Sequence, residues 1–268
     1  MDLKDKRILL TGGSSGIGLA LAEALVAEDA HVVLVGRRAE TLGQAVERLS
    51  GKGGKVGMAV GDVTIDADRK RILDEALNVL GGLDILVNNA GAVRAGRLEV
   101  IPEADIRAMI EVDLVAPILL TRDALPALRV SGDALVVNVT SAAALTGVPF
   151  YGTYAATKAG LSRFGEALRR ELKGEGVHVL TVYPVATDTR MMESSKAGAD
   201  LGFGREAVGD VAAAIVEGIK SNAIDVIRGG EARAKAIALN RDDPLALDAH
   251  FLRIKPALEE ATRDHRSF

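Results

Sequence analysis

Tyr154 and Lys158 stand four residues apart in a stretch whose periodicity predicts a helix over Tyr151–Lys173, so their side chains share one helix face. A free phenol titrates near pH ~10. An ammonium beside it stabilises the phenolate and moves the group toward the range where it exchanges a proton with an alcohol or ketone near neutral pH. Ser141 closes a β-branched run upstream and supplies a hydroxyl that could orient the oxygen of such a substrate. An isolated Tyr-x-x-x-Lys is commonplace on an exposed helix. Its weight therefore depends on what surrounds it.

A second constellation is the run Thr11-Gly12-Gly13-Ser14-Ser15-Gly16-Ile17-Gly18, which falls between the first predicted strand and the first predicted helix. Glycines there allow positive φ and close approach of backbone to a pyrophosphate, while the free N–H groups and dipole of the helix N-terminus favour negative charge. The spacing is GxxxGxG, which differs from the GxGxxG dinucleotide fingerprint. The plainer alternative is a tight strand-to-helix turn. The same letters satisfy GxSxG, the nucleophile elbow of α/β-hydrolases. An elbow after the first strand leaves no preceding loop for a second oxyanion donor, and His250 and His265 are expected to lie far from any strand end. The second predicted strand ends Gly36-Arg37-Arg38, without the carboxylate that binds an adenosine ribose 2′-OH. A planar guanidinium pair suits a 2′-phosphate, favouring NADP(H) over NAD(H), unless Arg37 and Arg38 only open a solvated helix.

These residues need strand ends and helix starts to hold them, and the chain supplies both. Strands are expected at Arg7–Thr11, His31–Gly36, Lys55–Val60, Asp84–Asn88, Ala134–Thr140, His178–Tyr183 and Ala223–Ile227. Helices are expected near Gly16–Ala27, Ala39–Ser50, Asp66–Leu80, Pro102–Leu128, Tyr151–Lys173 and Asp210–Ser221. The alternation predicts an α/β fold, a Rossmann-like doubly wound, mostly seven-stranded parallel sheet with helices on both faces. Residues 1–228 are expected to form the catalytic unit, with a long loop at 185–209 and a helical extension at 229–268. The chain has no Cys, which removes disulfides, thiolate chemistry and cysteine metal sites, and its four His lack ligand spacing, so no metal is expected. With 33 Lys and Arg against 37 Asp and Glu, no nucleic-acid partner is expected. The short apolar start predicts no signal peptide or membrane span, hence a cytoplasmic location.

Taken together, the motifs resemble the short-chain dehydrogenase/reductase family from about Lys6 to Ile227. Thr11–Gly18 looks like its TGxxxGxG, Asp62-Val63 like its adenine-contacting pair, Asn88-Asn89-Ala90-Gly91 like its NNAG, and Tyr154–Lys158 like its YxxxK. The resemblance implies that Tyr154 is the general acid in reduction, that Lys158 binds the nicotinamide ribose and lowers the tyrosine pKa, and that Ser141 hydrogen-bonds the carbonyl. It also implies cofactor contacts at Pro184, Thr187 and Thr189, and a homodimer or homotetramer whose seam would suit Leu161, Phe164 and Leu168, unless these pack on their own sheet. Three residues depart from the pattern. Asp113 stands where Asn commonly joins a proton relay and is expected to raise the pKa of Lys158; Val185 replaces the Gly of Pro-Gly; Ser15 replaces a basic residue of some NADP-dependent members. The implied function is an NADP(H)-dependent carbonyl reductase or secondary alcohol dehydrogenase acting on a small molecule. Its pocket would be lined by Ala143–Val148, Phe150, Tyr151, Met191 and Met192. The alternative is a cofactor-binding sensor or scaffold without turnover.

Overall fold

In a computed structural model that describes residues 1–268, every expected β-branched run becomes a strand, with ends shifted by at most two residues. The strands are β1 (Arg7–Thr11), β2 (His31–Gly36), β3 (Val56–Val60), β4 (Ile85–Asn88), β5 (Val93–Arg94), β6 (Ala134–Val139), β7 (Val177–Tyr183), β8 (Asp225–Ile227) and β9 (Arg266–Ser267). Seven of them form one parallel sheet in the order β3-β2-β1-β4-β6-β7-β8. The chain winds outward from β1 to one edge, then returns to the other side of β1. The crevice for a ligand in such a sheet opens where this reversal occurs, between β1 and β4.

Both faces of the sheet are covered, so the central strands are apolar along their whole length. The helices are α1 (Gly16–Ala27), α2 (Ala39–Leu49), α3 (Asp66–Leu80), α4 (Glu103–Ile110), α5 (Ala116–Ser131), α6 (Gly152–Glu171), α7 (Val208–Lys220), α8 (Gly230–Asp242) and α9 (Pro244–Thr262). Alternate residues of β1 serve opposite layers: Ile8 and Leu10 meet Leu21 and Leu25 of α1, Leu42 of α2 and Ile215 of α7. Leu9 belongs to the other layer, with Ile72 of α3, Leu120 and Leu128 of α5 and Leu168 of α6. Leu161 and Leu168 are buried within the chain and Phe164 packs against the same layer, so of the two packings open to these residues they take the one on their own sheet. No helix is long and apolar enough to cross a membrane.

Two departures from the expected elements bear on the site. The helix expected over Pro102–Leu128 is interrupted by a π-turn at Glu111–Val115 between α4 and α5. Pro117 has no N–H to give to the carbonyl of Asp113, so the ordinary four-residue repeat cannot close there. The tail is helical as expected, but it ends in β9, which pairs antiparallel with β5 through Val93↔Ser267 and Arg94↔Arg266. That pairing places His265 beside a strand rather than far from one, since its carbonyl accepts the Ala95 N–H at 3.0 Å.

The N-terminal ends of β1 and β4 and the end of α5 are tied by Asp84. Its carboxylate accepts the Arg7 N–H (2.8 Å), two Arg7 guanidinium bonds (2.8 and 2.7 Å) and the Ser131 hydroxyl (2.6 Å). Burial opposes its ionisation, but Arg7 and Ser131 outweigh that and pull its pKa from 3.8 down to about 2. A depressed carboxylate stabilises the fold fully above its unfolded pKa, and the contribution is lost as pH falls through the folded value. Asp84→Asn is therefore expected to weaken the fold by about 2 kcal/mol at pH 7 and by clearly less near pH 2. Urea unfolding at both pH values checks this. An equal loss at each would show that the carboxylate's charge is not what matters.

Candidate active site

The crevice over the carboxyl ends of the strands is a cleft of about 930 Å³. One end is built from backbone. Gly12 (φ +68°) and Gly16 (φ +54°) occupy the left-handed region that favours glycine, and they turn the chain from β1 into α1. The N–H groups of Ser14, Ser15, Gly16 and Ile17 find no main-chain acceptor, and no side chain caps the helix. They form an anion-binding start to α1.

The turn is held from β4. Asn89 donates through Nδ2 to the carbonyls of Thr11 (3.0 Å) and Gly12 (3.2 Å), and Thr11 Oγ1 accepts the N–H groups of Asn89 (3.0 Å) and Ala90 (3.1 Å). Gly18 lies outside the cleft lining. A Cβ there would run into the Gly12 carbonyl and come within 2.5 Å of Asn89 Nδ2, so its part is close packing rather than ligand contact. Asn88, expected among the cofactor contacts, does not line the cleft either. Its Nδ2 donates to Thr121 Oγ1 (3.0 Å) and Asn138 Oδ1 (2.9 Å) inside the fold.

The remaining expected cofactor residues line the cleft: Gly12, Ser14–Ile17, Arg37, Arg38, Asp62, Val63, Asn89–Gly91, Pro184, Thr187 and Thr189. Arg37 and Arg38 are exposed at the end of β2, while the Asp62 carboxylate is partly engaged by the Thr64 N–H (2.9 Å) and hydroxyl (2.7 Å). Glycine backbone, free helix-start N–H groups and two unpaired guanidiniums together fit a phosphate-bearing dinucleotide.

Further along the cleft, Tyr154 and Lys158 share the inner face of α6, and Ser141 faces the phenol from the end of β6. Lys158 Nζ lies 5.8 Å from the Tyr154 ring centroid. The ammonium is buried, 3.2 Å from Asp113 Oδ1, and its other protein acceptor is the Val139 carbonyl at 3.4 Å. Asp113 is fully buried in the π-turn and also accepts the Ala92 N–H at 3.0 Å. Its place in the relay marks it as catalytic, yet it does not line the cleft, and its contacts are with Lys158 and the Ala92 N–H.

The profile of the short chain dehydrogenase family matches residues 6–214. The chain belongs to that family. It is 34% identical over 226 residues to a ketoacyl reductase, HetN, of Nostoc, covering 84% of this chain and 79% of the relative. A short-chain dehydrogenase structure from Streptomyces avermitilis superposes with a TM-score of 0.79 at 28% identity, covering 94% of this chain and 97% of the other. That share exceeds what residues 1–228 alone could supply, so the match runs into the tail helices. A short chain dehydrogenase from Burkholderia cenocepacia, solved in complex with NADP, superposes at 0.77 with 30% identity, covering 86% and 98%.

In this short-chain dehydrogenase the substrate end of the cleft departs from expectation. Ala143, Val148, Tyr151, Met191 and Met192 line it, but Ala144–Gly147 and Phe150 do not, because the chain after Ser141 curls through a tight turn at Ala142–Ala144. Tyr151 is the hub. Its ring stacks on Phe203 (5.9 Å) and meets Tyr154 (6.3 Å) and His265 (5.9 Å) edge-on. Phe203, Arg233, His265, Ser267 and Phe268 were not foreseen as lining residues. No local pattern marks them, since they reach the cleft only through the long loop, the start of α8 and the β5–β9 pairing. His265 is held near pKa 4 by burial and by Arg94 and Arg205, so it is neutral at pH 7, and its Nδ1 pairs with the Ser194 hydroxyl at 3.0 Å.

The electrostatics at Tyr154 reverse one expectation. Burial pushes the phenol above its ordinary pKa; Lys158 and the Ser141 hydroxyl pull it down, and Asp113 pushes it up again. Lys158 loses by burial, yet the Asp113 carboxylate holds it above its usual value, as expected from the sequence. Asp113 thus spends part of the ammonium's influence that would otherwise reach the phenol. Asp113→Asn is expected to lower the Tyr154 pKa and shift the rising limb of the alcohol-oxidation pH profile toward lower pH. A profile of kcat against pH checks the direction, and a limb that stays in place would separate Asp113 from Tyr154.

Proposed function

We propose that this chain is an NADP(H)-dependent reductase or dehydrogenase that interconverts a ketone and a secondary alcohol through Ser141, Tyr154 and Lys158. The observation that carries the reading is Tyr154 in the cleft with a buried ammonium beneath its ring and the Ser141 hydroxyl facing its oxygen. A bound nicotinamide would supply or accept the hydride. In reduction Tyr154 Oη gives its proton to the carbonyl oxygen, and in oxidation it takes the alcohol proton back. Ser141 donates to the same oxygen and fixes its position. Lys158 lies where its charge favours the phenolate left after proton transfer.

Several observations support the finer points. The exposed Arg37 and Arg38 favour a 2′-phosphate, and the Burkholderia cenocepacia relative is described with NADP. The Nostoc relative is named as a ketoacyl reductase, and the substrate end here is lined by Val148, Met191, Met192 and Phe203, which suits an apolar carbonyl compound. We take residues 1–228 as the catalytic unit, with 185–209 covering the substrate and 229–268 completing the far wall.

Asp113 is the observation that favours a sensor or scaffold instead, because it offsets the charge that activates Tyr154. NADPH oxidation followed at 340 nm against ketones, aldehydes and 3-oxoacyl thioesters separates the two. Turnover that falls by about a hundredfold or more in Tyr154→Phe, with NADPH still bound, supports the enzyme. Tight NADPH binding with no turnover on any carbonyl supports the sensor. Arg37→Ala and Arg38→Ala are expected to raise the KM for NADPH about tenfold each and to leave NADH little affected, since each removes a charge-assisted phosphate contact. Equal effects on both cofactors would place the arginines outside 2′-phosphate recognition.

A further inference from the structure

Arg233 is the one charged side chain of the tail that reaches the cleft. It leaves the first turn of α8, whose start is set by Gly229. That residue is left-handed (φ +98°), and a Cβ on it would stand 2.7 Å from a Val185 methyl and 3.0 Å from Arg233 Cβ. The Arg233 N–H returns to the Gly229 carbonyl at 3.3 Å. The guanidinium reaches the segment after Ser141, where it donates to the Thr146 hydroxyl at 3.0 Å.

It has no carboxylate partner. Other arginines of the C-terminal third do: Arg228 pairs with Glu206, Arg205 with Asp188 at 3.5 Å, and Arg266 with Asp105 at 3.0 Å. Burial lowers the pKa of Arg233, yet a guanidinium keeps its charge. One of its five N–H donors is used within the protein. A half-buried, permanently charged fork is costly to leave unmatched, and it suits a planar or tetrahedral oxyanion. The phosphate-binding features lie elsewhere in the cleft, at the start of α1 and at Arg37 and Arg38.

We infer that Arg233 binds an anionic group, a carboxylate or a phosphate, carried by the substrate at a distance from its carbonyl. The substrate class is then an amphipathic ketone or alcohol, with an apolar body against Val148, Met191 and Phe203 and an oxyanion at Arg233. This assignment rests on the proposed reaction at Tyr154.

The test uses methyl ketone acids, CH3CO(CH2)nCOO⁻, of increasing chain length, each beside its methyl ester, and a keto phosphate beside its dephosphorylated parent. Wild type is expected to prefer the anion at one chain length, and the carboxylate and phosphate arms identify which oxyanion fits. In Arg233→Gln, which keeps a donor for Thr146, the anion-to-neutral ratio of kcat/KM should fall about ten- to a hundredfold, chiefly through KM. Arg233→Lys should restore part of it.

Three outcomes overturn the inference: no preference for any anion, equal losses on the anion and its neutral partner, or a raised Kd for NADPH in Arg233→Gln. If no ketone is turned over at all, the reaction assigned to Tyr154 fails separately. Calorimetry of the same acids on NADP⁺-saturated protein then decides the matter. Binding lost in Arg233→Gln supports the oxyanion site, and no Arg233-dependent binding overturns it.

Discussion

A lysine ammonium taken almost wholly out of water is the constraint on which the centre of this molecule depends. Desolvating such an ion costs several kcal/mol unless an opposite charge and good acceptors meet it. Lys158 is 4% exposed, and three separate pieces of chain converge on it. Asp113 comes from the π-turn, the Val139 carbonyl from the end of β6, and Gly91 from the loop after β4. A Cβ on Gly91 would come within 2.7 Å of Asp113 Oδ1 and 3.2 Å of Lys158 Nζ, so the glycine is as much a condition of the charge pair as of any ligand. The π-turn belongs to the same arrangement. Pro117 breaks the regular helix one turn after Asp113, and the carboxylate is presented to Lys158 and the Ala92 N–H from the irregular segment.

The pair also sets the terms of the chemistry. An ammonium facing a neutral amide would direct its full field at the phenol, whereas an ammonium facing a carboxylate directs much less. Burial of Tyr154 already disfavours its phenolate, and Asp113 adds to that penalty. A phenol kept protonated suits donation to a carbonyl oxygen more than removal of an alcohol proton.

The parts of this fold that were legible in the sequence are those whose information is local. Alternating β-branched runs and amphipathic helices produced the sheet, because both layers need periodic apolar faces. The glycine turn was legible because positive φ and close packing restrict which residues can stand there. Asn88 and Gly18 belong to motifs that suggest ligand contact, yet the contacts they make are internal, since a motif gives the letters without saying which way each residue faces. The break at Glu111–Val115 was missed because apolar periodicity continues through it, although Pro117 marked the place. Leu161, Phe164 and Leu168 illustrate the same ambiguity: an apolar stripe on a helix fits an interface or a core equally well until its neighbours are known.

The substrate end was illegible for a different reason. Aromatic residues are few, yet four of the eight Tyr and Phe residues, Tyr151, Tyr154, Phe203 and Phe268, line this one cleft. They are brought together by a two-residue strand pair and a long loop, joining residues far apart in the chain such as Tyr151 with Phe203 and Val93 with Ser267, and contacts of that kind leave no periodic trace. The cofactor end relies on main-chain groups that any relative must shape alike, so it reads from a short motif. The substrate end relies on side chains borrowed from the chain's periphery, where each relative can change them without disturbing the sheet. Arg233 follows from that division: a charge left without a carboxylate is tolerable where a ligand can answer it, and the tail is where this chain is free to put one.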